Sequence, residues 1–330
     1  MNLNVVLDGL YFDLHDFINL KCLLFNFGSK GRNCKIDPKN LNKKLSRICI
    51  SLNISDLEIE YLDLKNNIKL RYLDCSFNKL FSLDLSCNPE LVNLYCRCNK
   101  LSFLNLKSNL ELKNLYCQSN QIKSLDLKCN PKLRKLYCEN NQIESLNLKC
   151  NLKLKKLNCL NNRLFSLDLS CNPKLRKLYC SYNQLSSLDI NCNRELVELY
   201  CQSNQLSSLD LKCNPKLEVL KCRNNQLSSL NLHNNPKLKE LNCFSNQLLS
   251  LDLKCNLELL KLECSYNQLS SLDLKCNLEL LKLECSYNQL SSLDLSSSFK
   301  LKYLVCNCNN LKSLNISCIS ELKLNINTQL

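Results

Sequence analysis

From Leu70 onward the sequence returns to itself every 21 residues, twelve times, as far as Glu321. Segment 70–90 reads LRYLDCSFNKLFSLDLSCNPE, and segment 175–195 reads LRKLYCSYNQLSSLDINCNRE. The shared pattern is L-x-x-L-x-C-x-x-N-x-L-x-x-L-D-L-x-C-N-P-x. A short fixed period restricts the chain to a solenoid, because one such repeat can bury its apolar side only against its neighbours. Positions are counted from the first leucine of a repeat, so Leu70 is position 1 and Glu90 position 21.

Each repeat holds two short alternations of apolar and polar residues, L-x-C and L-D-L. Alternation with period two predicts a half-buried strand. Two strands per coil and two parallel sheets are therefore expected, with neighbouring strands roughly 4.8 Å apart. Leu at positions 1, 4 and 14, and Leu or Ile at 11 and 16, supply the predicted interior. Burial of each contributes about 1.5–3 kcal/mol. Ordering costs on the order of 1.5 kcal/mol per residue, so a coil holds only when stacked.

The 26 cysteines fall mostly into two columns. One fills position 6 in all twelve repeats, from Cys75 to Cys306; the other fills position 18 in nine, from Cys87 to Cys318. Both are expected to face inward as small apolar residues. No C-x-x-C pair accompanies a second pair or a histidine, so no metal is expected. Asn at position 9 is invariant, and a second Asn column stands at position 19. In an array without glycine, asparagine is the residue expected to take the awkward dihedrals of the corners.

The ends depart from the pattern. Residues 1–48 do not repeat; Leu7–Phe27 is weakly helical in pattern and is followed by GSKGRNCKIDPKN. This segment is expected to be a partly helical N-terminal cap on the solenoid, the alternative being a separate binding module. Residues 49–330 form the solenoid proper: a degenerate coil at 49–69, regular repeats at 70–321 and a partial coil at 322–330. Ser297, Ser298 and Ile319 replace the usual Cys and Asn near the end. The start, MNLNVVLDGLYFDLHDF, lacks the cationic opening of a secretory signal. No stretch offers 18 uninterrupted apolar residues, so membrane insertion is not expected. An intracellular, cytoplasmic setting with reduced thiols is the default expectation.

The leucine and asparagine spacing is similar to that of the leucine-rich-repeat family. The 21-residue form, with Cys at position 6 and L-D-L in its second half, resembles the IRREKO subclass, in which units of ten and eleven residues nest. The resemblance implies a right-handed leucine-rich-repeat solenoid of stacked coils with parallel β-sheets and few helices outside the cap. It also implies ligand binding on a sheet surface and no catalysis. It names no partner.

The residues agree that the chain is no enzyme. His15 and His233 are the only histidines and stand isolated in the sequence, and the array has no glycine-rich phosphate loop. No catalytic residue and no cofactor are expected. The outward L-D-L column, from Asp84 to Asn315, reads as a solvated, self-bonding ladder or as a stripe for a basic ligand. The first-half strand varies more. Its outward centre carries Tyr95, Tyr116, Tyr137, Tyr179 and Tyr200. Before it lie Lys132, Arg134, Lys135, Lys153, Lys155, Lys156, Lys174, Arg176 and Lys177. With a net charge of +14, these cations are expected to gather beside the tyrosines into one site for a protein ligand with an acidic surface. Single-stranded nucleic acid is the alternative ligand, through phosphate contacts and base stacking.

Overall fold

The computed structural model describes Asn2–Val6, Cys22–Asn26, residues 49–312, residues 314–316 and Lys323–Leu324. The chain divides into two compact units, Met1–Arg163 and Leu164–Leu330, and each is a parallel-sheet solenoid of stacked coils. None of the described residues is helical.

In the first unit the strands are β1 (Asn2–Val6), β2 (Cys22–Asn26), β3 (Ser51–Asn53), β4 (Tyr72–Asp74), β5 (Asn93–Tyr95), β6 (Asn114–Tyr116), β7 (Lys135–Tyr137) and β8 (Lys156–Asn158). Each pairs in parallel with the next. In the second unit, β9 (Lys177–Tyr179), β10 (Glu198–Tyr200), β11 (Val219–Lys221), β12 (Glu240–Asn242), β13 (Lys261–Glu263) and β14 (Lys282–Glu284) do the same. The series continues through β16 (Tyr303–Val305) and β18 (Lys323–Leu324). Register is residue for residue: Leu94 faces Leu115 and Leu199 faces Leu220. In the repeat strands from β4 to β14 position 4 is buried, while positions 3 and 5 point outward, as alternation requires.

The interior is the predicted one. Leucines at positions 1, 4 and 14, with Leu or Ile at 11 and 16, are buried in every coil from Leu70 to Leu295. The position-6 thiols fill the space between them and are fully buried from Cys75 to Cys285. Burial pushes the Cys117 and Cys159 thiols up to about 12.

Four expectations need correction. First, the position-18 cysteines do not join the core. Cys87, Cys150, Cys192 and Cys276 are exposed, and Cys129, Cys171, Cys213 and Cys255 are half-buried. They sit on a tight turn in which the position-19 amide bonds the position-16 carbonyl, as Asn88 does to Leu85 at 3.1 Å. That turn aims the asparagine inward instead of its neighbour, and the position-19 asparagines are buried.

Second, a second sheet is almost absent. Only β15 (Leu293–Asp294) and β17 (Leu314–Asn315) pair there among the described residues. Elsewhere the L-D-L segment is extended without a ladder. Its aspartate accepts the amide two residues on, as Asp84 does from Ser86 at 2.9 Å and Asp252 from Lys254 at 3.0 Å. The paired coil makes the same bond, from the Ser296 amide to Asp294 at 3.0 Å, so this bond is common to paired and unpaired coils.

Third, the residue with left-handed backbone is not the invariant asparagine but the one before it. Position 8 has φ of 52–56° in every repeat, and Phe77, Tyr182, Tyr266 and Tyr287 are among its occupants. Fourth, the helical pattern of Leu7–Phe27 fails at its end: Cys22–Asn26 is a strand in register with β3. Residues 7–21 lie outside the described residues, as does Cys318.

Candidate partner-binding surface

The tyrosines at position 5 become neighbours through strand register. Tyr95 faces Tyr116, and Tyr116 faces Tyr137. Their rings stack, with centroids 4.6 and 4.7 Å apart and planes within 11° and 9°. Tyr72, at position 3 of the preceding coil, tilts onto Tyr95 at 5.3 Å and extends the row to four. The rings are half-buried. Burial pushes the Tyr72 phenol up to about 12, with the Asp74 carboxylate adding to it, and also raises Tyr95 and Tyr116.

The first unit holds six of the nine predicted cations. Lys132 is tied to Glu111 at 2.5 Å. Lys135 and Lys156 begin β7 and β8 and are register partners, so two ammonium stems stand on adjacent strands. Arg134 and Lys155 are exposed immediately before those strands, and Lys153 is exposed on the turn. Among the described residues Arg134, Lys135, Lys153, Lys155 and Lys156 carry no ion pair. At adjacent-strand spacing, like charges repel by about 1 kcal/mol in water.

The second unit holds the other three cations. Lys174 and Arg176 are exposed. Lys177 pairs with Glu198 at 2.5 Å, and the same carboxylate accepts the Tyr179 hydroxyl. Tyr179 meets Tyr200 edge-on, at 4.8 Å and 68°. Lys221 lies over the Tyr200 ring at 4.9 Å. The predicted site residues are thus shared between two units, and the first holds the stacked tyrosines together with five cations that have no ion pair among the described residues.

Two features are not legible in the repeat pattern. Tyr72 stands at position 3, where only a diagonal contact joins it to the column, so no repeat position marks it. A second aromatic group, Phe244, Tyr266 and Tyr287, gathers in the second unit, with Tyr266 and Tyr287 stacked at 4.1 Å. Its signal is the repeated CSYNQ, which puts tyrosine at the left-handed position. His233, isolated in the sequence, is not isolated in space: its Nδ1 lies 3.1 Å from Cys255 Sγ.

The aspartate column is self-bonding, and the Ser86 amide holds the Asp84 carboxyl below its usual range. No cluster of three or more His, Cys, Asp or Glu side chains suited to a metal ion occurs among the described residues. No helix among them is long and apolar enough to cross a membrane.

Residues 110–151 match a family profile described as leucine-rich repeats in two copies. No curated protein matches the chain in sequence. Among solved structures, the chain is similar to the functional domain of InlJ from Listeria monocytogenes, described as including a cysteine ladder. The two are 30% identical over 87% of this chain and 68% of that one, with a TM-score of 0.73. It is similar also to YopM from Yersinia enterocolitica, at 29% identity over 84% of this chain and 60% of that one, with a TM-score of 0.73. A leucine-rich-repeat protein from Leptospira interrogans shares the fold at 20% identity, over 97% and 93% of the two chains, with a TM-score of 0.82.

Proposed function

Because this chain belongs to the leucine-rich-repeat family, we propose that it is a non-enzymatic scaffold that binds another protein on its tyrosine-bearing sheet face. The observation that carries this reading is the registered stack of Tyr95, Tyr116 and Tyr137 beside Arg134, Lys135, Lys155 and Lys156. A preformed row of rings supplies apolar contact area with little side-chain entropy left to lose. The adjacent cationic groups have no carboxylate of their own, so an acidic surface on the partner would relieve their repulsion. In the second unit Tyr179, Tyr200, Lys174, Arg176 and Lys177 form a separate, lesser candidate surface, since Glu198 already engages Lys177 and Tyr179.

Single-stranded nucleic acid is the weaker reading. Bases bind such surfaces by stacking on ring faces. Here the faces of Tyr116 are covered by Tyr95 and Tyr137. The column of exposed thiols suits a reducing, intracellular setting.

The test is capture of partners from host extract by the wild-type chain, by Arg134→Glu/Lys155→Glu/Lys156→Glu and by Tyr116→Ala. An acidic protein retained by the wild type and lost from both variants is the expected result; identical partners for all three would discard the surface. Binding of an oligothymidine that weakens steeply with salt, and is lost in the same variants, would favour nucleic acid instead.

A further inference from the structure

The second unit carries a contact of a different chemical kind. Cys255 occupies position 18 of its coil, and 22 residues earlier, one coil back, stands His233. The Sγ of Cys255 lies 3.1 Å from Nδ1 of His233. Both side chains line a cleft of about 440 Å³ together with Ser229, Asn231, Ser250 and Asp252. The same place relative to other cysteines of the column is taken by Ser170 for Cys192, Asn191 for Cys213 and Lys254 for Cys276. A thiol reacts as its thiolate, and a base at hydrogen-bond distance both takes the proton and holds the resulting charge. The buried thiols of position 6 do not compete for such a reaction, since burial raises Cys96, Cys222 and Cys243 well above the usual thiol range and keeps reagents from them.

We propose that Cys255, with His233 as its proton acceptor, is a thiol-modification site for small disulfides bearing an ammonium group. The thiol proton passes to His233 Nδ1. The thiolate then attacks one sulfur of the disulfide RSSR, the S–S bond of RSSR breaks, and a Cys255–S–S–R bond forms. The leaving thiolate takes the proton back from the imidazolium and departs as RSH, so that Cys255 is oxidised as the disulfide is reduced. The Asp252 carboxylate in the cleft is the group that meets the ammonium end of R, and the serine and asparagine side chains supply polar contacts. The site shares no residue with either tyrosine surface.

The experiment treats the full native chain with cystamine and follows each cysteine by peptide mass mapping. Cys213 is the internal reference, because it holds the same repeat position and is likewise half-buried but has Asn191 in place of the histidine. Cys255 is expected to be modified about tenfold faster than Cys213. In His233→Asn that lead should vanish while the Cys213 rate stays put, which also reports that the fold survives. Equal rates in the wild type, or a Cys255 lead that persists in His233→Asn, would overturn the proposal. Asp252→Asn should slow cystamine without slowing a neutral disulfide; equal slowing of both would remove the ammonium specificity.

Discussion

The Leu80 amide donates to Asn99 Oδ1 at 3.0 Å, although the two residues are 19 apart in sequence. The other end of the same side chain donates to the carbonyls of Cys75, Cys96 and Arg97 at 3.0, 3.1 and 3.2 Å. One asparagine therefore closes the corner of its own coil and bonds the coil before it. The position-19 column also ties coil to coil, since Asn109 Nδ2 donates to Leu85 O at 3.2 Å and Asn88 O at 2.9 Å.

Replacing Asn99 should be costly out of proportion to its size. Asn99→Ala leaves the Leu80 amide without its acceptor and takes one of two donors from each of three carbonyls, which keep Asn78 Nδ2 on Cys75 O, Asn120 Nδ2 on Cys96 O and the Phe77 amide on Arg97 O; it should lose about 1–3 kcal/mol in urea unfolding. Asn99→Asp keeps the acceptor but sets a carboxylate against those carbonyls, so it should be no better than alanine. A fully stable aspartate variant would show that the donor end contributes nothing.

The left-handed position 8 can be relieved. Ser119 has φ of 56°, a conformation that costs a residue with a side chain about 1–2 kcal/mol. Ser119→Gly should raise stability by about 1 kcal/mol after its extra unfolded-state freedom is counted. Ser119→Val should lower it, and the order of the two unfolding midpoints is the check.

Near the C-terminal end Ser298 stands where asparagine is usual, and its hydroxyl is buried without a hydrogen-bond partner. In the preceding coil Asn277 donates to Leu253 O and Asn256 O at 3.1 and 3.0 Å. Ser298→Asn should restore the equivalent bonds, to Leu274 O and Asn277 O, and gain about 1–2 kcal/mol. Hydrogen exchange of the last coils should slow accordingly.

Glu139 gives a pH-dependent case. Its Oε2 is buried without a hydrogen-bond partner, and burial holds the carboxyl above the ordinary range despite Arg97 nearby. A raised folded-state value means that ionisation costs the folded chain stability. That cost is absent below the unfolded-state value and complete above the folded one. Glu139→Gln should therefore be the more stable form at about pH 7, with the advantage shrinking as pH falls through the carboxylate range to about pH 4. An advantage that does not change with pH would refute the burial argument.

The two cysteine columns should separate in native alkylation. Iodoacetamide is expected to label Cys87, Cys150, Cys192 and Cys276 within the folded chain, and to reach Cys96, Cys138, Cys201 and Cys243 only after denaturant is added. Native labelling of the second group would contradict their burial.

The period, the strand at L-x-C and the identity of the interior leucines and position-6 thiols could all be read from the residues alone. This is so because those choices repeat coil after coil, and stacking admits one inward side for them. The residues also named the tyrosine column, since one outward position recurs along a sheet in register. The rest was set by how the coils pack. Whether Cys or Asn faces inward at positions 18 and 19 depends on a turn of a few atoms, and both residue types are compatible with burial in sequence. Which outward groups meet depends on contacts 19–24 residues apart: Lys177 with Glu198, Tyr72 with Tyr95, His233 with Cys255. The rise of one coil on the next sets those distances, and that rise is a property of the packed backbone which no single repeat contains.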